Sequence, residues 1–244
     1  MNNIKAVFKR EFAGYFSTPV AYVFIVIFLF LSGAFTFYLG AFYERNQADL
    51  EPFFRFHPWL YLFLLPAIAM RLWSEERKTG TIELLMTLPI PIHQAVIGKF
   101  LAAWCFTAVA VVLTFPMWIT VNYLGSPDNL VIFASYIGSL FMAGGFLAIG
   151  SCISALSKSQ VIAFSISVVI CFMFLFSGFP LVLDFFRAWA PQAVVNAIAS
   201  FSFLTHFESI KKGVIDIRDV IYFILLICFW LYANVVVIEA KKAS

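Results

Sequence analysis

Long stretches without a charged residue are the feature that most constrains this chain. They cover residues 20–43, 100–127, 129–157, 159–183 and 220–238. A membrane-spanning helix needs about 20 consecutive, mostly apolar residues, and each stretch approaches or exceeds that length. Charged residues make up 12% of the chain and hydrophobic residues 63%, whereas a soluble domain carries roughly 25% charged residues. The sequence therefore predicts an all-α, polytopic membrane protein and excludes a soluble globular domain.

Six spans in one membrane domain, residues 1–244, are predicted from these stretches and one shorter run. The shorter run, residues 56–70, lies between two arginines and contains Pro66; it can cross if it is extended at its start and the arginines reach the interface. Residues 188–207 lack charge but carry too many polar groups for a lipid-exposed span. We expect a helix there that lies at the surface or dips in partway, and a seventh span is the alternative.

Positive charge is distributed unevenly between the two predicted sides. The inner segments hold ten of the sixteen Lys and Arg residues and the outer segments hold six. Because cytoplasmic loops carry an excess of Lys and Arg, this bias predicts that both termini are cytoplasmic. The N-terminal residues lack an apolar core followed by a cleavage site, so the first apolar stretch is expected to remain as a span.

The most charged inner segment, residues 74–91, lies between the predicted second and third spans. Thr79 or Thr81 can cap a helix, and Glu83 would then lie in its first turn, where a carboxylate favours the helix dipole. Prolines at the end of the segment stop the helix. The apolar face of this helix would consist of Ile82, Leu84, Leu85 and Leu88. Two interpretations stay open from the residues alone: a loop that packs on lipid headgroups, or a docking element for a soluble partner.

The same segment resembles the first cytoplasmic loop of ABC-2 type permeases, the membrane subunits of ATP-driven exporters. The family arrangement E-x-x-x-G-T-x-E-x-L-x-x-x-P is matched by Glu76, Gly80, Thr81, Glu83, Leu85 and Pro89. Residues 8–19 resemble the elbow helix that precedes the first span in that family, and residues 98–100 resemble its entry to the third span. Within the family, the chain looks most like the gliding-motility-associated permease type.

This resemblance implies an ABC-2 exporter fold with six transmembrane helices. Residues 1–18 would form the elbow helix, residues 74–91 the cytoplasmic coupling loop, and residues 184–219 a half-inserted outer segment before the last span. The implied partners are a separate ATPase subunit and a second permease copy or a related membrane subunit, in the inner membrane of a bacterium. ATP and Mg²⁺ would belong to the ATPase, so no cofactor is expected on this chain.

Seven residues would couple the membrane domain to the ATPase if the resemblance holds. Arg77 and Glu83 would make polar contacts to the ATPase, the two leucines would fill its groove, and Gly80 would permit the turn. The predicted coupling residues are Glu76, Arg77, Gly80, Thr81, Glu83, Leu84 and Leu85.

Catalytic and metal-binding motifs are not found in the sequence. The only Gly-Lys pair, Gly98-Lys99, is followed by Phe100, and residue 93 is His where a Walker A motif has Gly. We therefore expect no ATP hydrolysis, no catalytic residue, no metal site and no nucleic-acid partner. The four cysteines are expected to be buried in the membrane. The three histidines are expected to pack near its interfaces, and a shared metal site is the alternative.

Other functions for a membrane protein of this kind remain as alternatives. An integral membrane enzyme would have to use the outer acids Glu44, Asp49, Glu51 and Asp184, and a scaffold or channel without transport activity is a further alternative. The near absence of charge within the spans argues against a proton-coupled transporter. Polar residues in the spans, such as Ser139, Ser151 and Ser154, either line a pathway or pack between helices, and packing is favoured. The sequence does not indicate the exported substrate.

Overall fold

The computed structural model describes residues 2–83, 90–187, 190–213 and 216–242, and these residues contain helices and no β-strand. The first group of helices comprises α1 (Asn2–Phe16), α2 (Pro19–Ala34, continued by a π-helix over Phe35–Leu39), α3 (Glu51–Arg55), α4 (His57–Ala69) and α5 (Arg71–Thr79). The second comprises α6 (Ile92–Val112), α7 (Phe115–Leu124), α8 (Asn129–Leu156), α9 (Gln160–Phe176), α10 (Pro180–Arg187), α11 (Gln192–Ser200), α12 (Phe203–Lys211) and α13 (Ile217–Lys242).

Between four and six membrane spans follow from the lengths of these helices. The four long apolar ones are α2, the α6–α7 pair, α8 and α13. Two bent pairs, α9–α10 with an angle of 69° and α11–α12 with an angle of 70°, raise the number to six if each pair crosses once. The several apolar helices confirm a multi-pass membrane protein. The predicted number of six is not confirmed. The upper limit of six counts the pair α11–α12 as a span, and it does not count α4, which lies in the predicted second span.

The predicted second span contains α4, which is only 13 residues long. A helix of that length rises about 20 Å, which is less than the hydrocarbon thickness of roughly 30 Å. However, α3, α4 and α5 follow one another with a single residue, Phe56 or Met70, between them. Whether this whole helical run crosses the membrane as one unit stays a prediction.

Prolines explain where the apolar stretches break. Pro116 lies in the first turn of α7 and Pro180 begins α10. Proline cannot donate a backbone hydrogen bond and it disfavours the helical conformation of the preceding residue, so the helix is interrupted at these points. The chain bends by 69° between α9 and α10, whereas α6 and α7 form one apolar span. The predicted third span also begins earlier than expected, because α6 starts at Ile92.

The helix α8 forms the centre of the bundle and contacts α4, α5, α6, α9, α12 and α13. Its start is fixed by Asp128, whose carboxylate accepts hydrogen bonds from the backbone N–H groups of Leu130 and Val131. The second half of α8 is buried on nearly all sides. Small residues make this close packing feasible, since they let neighbouring helix backbones approach. They are Gly144, Gly145, Ala148 and Gly150.

The N-terminal helix α1 packs along α6. At the contact, a Cβ atom added to Gly98 would lie 2.8 Å from the Cβ of Val7, which is closer than two carbon atoms can approach. Glycine at this position is therefore needed to bring α1 onto α6. Pro19 lies in the first turn of α2, as the sequence predicts, and the turn before it directs the chain from α1 into the bundle.

Helix α1 and the last turn of α13 lie at the same end of the bundle, which we call the α1 end and define by Glu11, Glu76, Lys99, Leu156 and Lys241. Lys99 contacts Glu11 and Glu76, and the Lys241 ammonium donates a hydrogen bond of 2.6 Å to the Leu156 carbonyl at the end of α8. That both termini face the cytoplasm stays a prediction.

Candidate functional site

Helix α5 connects the predicted coupling segment to the bundle, and the first of its contacts to α8 is made by Ser154. The Ser154 hydroxyl accepts hydrogen bonds from the backbone N–H groups of Trp73 and Ser74 at 3.1 and 3.0 Å, and donates one of 2.7 Å to the Met70 carbonyl. These three groups surround the break between α4 and α5. Ser154 thus provides hydrogen-bond partners for backbone groups that would find them within an uninterrupted helix, and it links this break to the central helix α8.

A second contact joins Trp73 to the last helix of the bundle. The Trp73 indole N–H donates to the Ser151 hydroxyl at 3.3 Å, and the Asn234 amide donates to the same hydroxyl at 2.7 Å. Trp73 is fully buried. The side chain therefore links α5 with α8 and α13. Ser151 and Ser154 serve as packing contacts between helices in this structure.

A buried lysine holds the next part of the site together. Lys99 is only 2% exposed, and its ammonium lies 2.8 Å from Glu76 and 3.1 Å from Glu11. The ammonium also lies 5.2 Å from the centre of the Trp73 ring, which favours a cation. Arg10 lies 2.6 Å from Glu11 and 3.6 Å from Glu76. This four-residue cluster, Arg10, Glu11, Glu76 and Lys99, connects α1, α5 and α6.

The charges of the cluster alter the protonation of Glu11. Burial opposes ionisation of this carboxyl group, but the Lys99 ammonium and the Arg10 guanidinium outweigh it and hold the pKa of Glu11 below its ordinary value of 4.5. The carboxylate is therefore ionised at neutral pH. Two carboxylates and two cations balance one another in the cluster.

Arg77 follows Glu76 and also turns inward. Its guanidinium donates a hydrogen bond to the Ala155 carbonyl in the last turn of α8. The Lys241 ammonium donates a hydrogen bond to the neighbouring carbonyl, that of Leu156. The last carbonyls of a helix have no partner within the helix and carry the negative end of its dipole, so two cations stabilise this end of α8.

The chain changes direction at Gly80, directly after α5. Gly80 adopts a φ of 76°, a left-handed conformation that glycine tolerates far better than other residues. Residues 81–83 are helical again, and the Glu83 N–H donates to the Gly80 carbonyl at 3.3 Å. Thr81 and Glu83 are exposed, whereas Ile82 packs partly against the core. We call Gly80–Glu83 the tip.

The predicted coupling residues thus fall into two groups. Glu76 and Arg77 contact the bundle, while Gly80, Thr81 and Glu83 form the tip. Leu84 and Leu85 lie outside the described residues. Sequence reasoning overlooked Lys99 and Glu11, although a lone lysine at the start of an apolar stretch was a usable signal, because a buried ammonium requires a carboxylate partner.

The opposite end of the bundle carries a separate polar cluster. The His206 ring lies 2.6 Å from Asp219 through Nδ1 and 3.0 Å from the Ser200 carbonyl through Nε2, and Lys211 contacts Glu51 and Glu208. His57 lies deeper, fully buried, 2.8 Å from the Ser139 hydroxyl. His57 and His206 therefore take part in unrelated contacts, and His57 is buried within the bundle.

A comparison with known families covers nearly all of these elements. No curated protein matches the chain. The family described as "ABC-2 family transporter protein" matches residues 6–219, a range that begins in α1 and ends in the first turn of α13. The match includes the cluster around Lys99, the tip and the central helix α8. The chain therefore belongs to the ABC-2 family of transporter membrane proteins.

Proposed function

We propose that this protein is the permease subunit of an ATP-driven exporter and that its tip receives the movement of a separate ATPase subunit. The observation that carries the proposal is the structure around α5. An exposed tip follows a helix that is fastened to α1, α6, α8 and α13 through Lys99, Ser154 and Trp73. A force applied to such a tip would be transmitted to several helices at once.

The roles of the coupling residues follow from their placement. Thr81 and Glu83 contact the ATPase, together with Leu84 and Leu85, and Gly80 provides the turn that presents them. Glu76 and Arg77 act one step behind the tip, because they hold α5 against the bundle. This assignment moves Arg77 from direct contact with the ATPase to a supporting position.

The remaining parts of the assembly belong to the same proposal. Two permease subunits and two ATPase subunits form the complex, and ATP and Mg²⁺ bind to the ATPase. The chain lies in a bacterial inner membrane with the α1 end, both termini and the tip in the cytoplasm. Its short connection between α2 and α3 favours the gliding-motility-associated type.

Co-purification and a charge reversal at the tip test this function. A tagged full-length chain, isolated from membranes of its own cells, should retain a polypeptide with a Walker A motif and ATPase activity. Glu83→Arg should reduce both retention and activity, because it reverses a charge in the proposed contact. Glu44→Arg is the matched control, since Glu44 is an exposed acid in the loop between α2 and α3. A complex without an ATPase, or equal retention in both variants, would contradict the proposal.

A further inference from the structure

A cleft of about 730 Å³ lies at the α1 end, beside the four-residue cluster, and shares Arg10 and Glu11 with it. Helices α1, α2, α4, α5 and α6 enclose it, with Gln160 of α9 at one side. Its apolar walls belong to helices of the bundle. They consist of Val20, Ala21, Phe24, Ala67, Ile68 and Phe106. The volume falls within the range of about 300–1,000 Å³ that small-molecule sites occupy.

The rim of the cleft carries two positive and two negative side chains. Arg10 pairs with Glu11 at 2.6 Å, and Arg71 pairs with Glu75 at 3.0 Å. Three of the four retain substantial exposure: 54% for Arg10, 34% for Arg71 and 47% for Glu75. Exposed ion pairs contribute little free energy, so these groups can exchange a partner in the protein for a charged group of a ligand.

A hydrogen-bond donor lies between the rim and the apolar walls. The Tyr15 ring stacks on Phe106 with 4.9 Å between the ring centres, and Tyr15 lines the cleft. Burial and the nearby Glu11 carboxylate raise the pKa of the Tyr15 phenol, against a smaller opposite effect of Arg71. The hydroxyl therefore stays protonated and is able to donate a hydrogen bond to an ester or phosphate oxygen.

This layering matches the layering of a membrane phospholipid. Such a molecule carries a charged headgroup, then polar ester groups, then acyl chains. Along α1 and into α2, the lining of the cleft presents charges at residues 10 and 11, a phenol at residue 15 and apolar side chains at residues 20–24, in the same order. Because the rim has no net charge, it favours a headgroup that carries one positive and one negative group over a headgroup that is only negative.

We propose that the cleft binds a zwitterionic glycerophospholipid, such as phosphatidylethanolamine, from the membrane leaflet at the α1 end. The arginines contact the phosphate, Glu75 contacts the ammonium, and the upper parts of the acyl chains lie along Val20, Phe24 and Ile68. This inference does not rest on the proposed export function, because it depends only on the cleft and on the presence of a bilayer.

Photo-crosslinking in nanodiscs of defined composition tests the lipid site. The full chain is placed in equal amounts of phosphatidylethanolamine and phosphatidylglycerol, with a trace of phosphatidylethanolamine that carries a diazirine on its acyl chain. Adducts should concentrate on the peptides that contain residues 20–24 and 67–71. Additional unlabelled phosphatidylethanolamine should compete them away, and phosphatidylglycerol should not.

A double variant provides the second measurement. Arg71→Ala with Glu75→Ala removes one charge pair and should lower the adduct yield by about tenfold, since hydrogen bonds to charged groups are lost. The matched control is Asp184→Ala with Arg187→Ala, which removes an exposed pair at 2.9 Å on α10 and should leave the yield unchanged. If the double variant fails to fold, the competition in the unchanged protein decides.

Three results would overturn the inference. Equal competition by phosphatidylglycerol would show that the rim does not select a zwitterionic headgroup. Adducts spread evenly over exposed positions such as Phe30 and Leu225 would indicate ordinary contact with the bilayer. Crosslinks from the cleft to a second copy of the chain or to the ATPase would show that a protein occupies it.

Discussion

Lys99 is the residue on which the proposed coupling path depends most. It lies almost completely out of contact with solvent, yet it carries a charge and contacts two carboxylates that belong to different helices. A buried ion pair adds little net stability compared with apolar residues of the same shape, but removal of one partner leaves an uncompensated charge. The cluster therefore fixes the relative positions of α1, α5 and α6 rather than simply stabilising them.

Replacing Lys99 should consequently be costly. Lys99→Met leaves Glu11 and Glu76 close together without the ammonium and should lower the free energy of unfolding by about 3–5 kcal/mol. Denaturation in detergent, followed by tryptophan fluorescence, measures the loss. Lys158→Met, at a lysine outside this cluster, is the control and should change it by less than about 0.5 kcal/mol. Adding Glu11→Gln and Glu76→Gln to Lys99→Met should restore most of the stability, and failure to do so would argue against the charge explanation.

The pH dependence of stability should identify Glu11 directly. Its pKa is lower in the folded protein than the ordinary value of 4.5, so its contribution is complete above that value and is lost as the pH falls through the folded pKa. Glu11→Gln should be less stable at neutral pH and should lose less stability than the unchanged protein as the pH falls below about 4.5. Thermal unfolding in detergent across that range measures the difference. Parallel curves for the two proteins would contradict this role of Glu11.

At the scale of elements, the tip depends on the left-handed turn at Gly80. Any side chain there strains the backbone, even though the space around Gly80 is open. Gly80→Ala should therefore cost about 1–2 kcal/mol or redirect the tip, and the ATPase rate of the purified complex should fall. Gly33→Ala is the control, because Gly33 has similar open space and lies within α2. Equal ATPase rates in the two variants would mean that the turn does not matter for coupling.

The elements also show which parts of this fold can be derived from sequence. Helix α8 spans Asn129–Leu156, almost the range predicted, because Asp128 is a local capping signal and the apolar stretch is long. The tip and its glycine could likewise be anticipated from short-range spacing and family resemblance. The inward orientation of Glu76 and Arg77 could not be anticipated from the sequence, because their partners Lys99 and Ala155 are distant in the chain. The break after α6 and the bend after α9 follow from prolines, but the angle of the bend depends on packing.

In the whole molecule, the central helix is largely buried, whereas helices at the sides of the bundle are largely exposed. Only 28% of the apolar window of α2 and 22% of that of α13 are buried, whereas α8 reaches 61%. The exposed faces are free for lipid or for a second permease subunit, as the proposed complex requires. The α1 end collects the cluster around Lys99, the end of α8 and the tip, so a movement of the tip has a direct connection to the centre of the bundle.

Site-specific crosslinking tests the proposed contact between the tip and a separate ATPase. A photoreactive amino acid replaces Glu83 in the full chain within the membranes of its own cells, and a second variant carries it in place of Glu44. We expect a crosslink from position 83 to a separate polypeptide with a Walker A motif, and none from position 44. Absence of this crosslink at position 83, in a complex that retains ATPase activity, would contradict the claim.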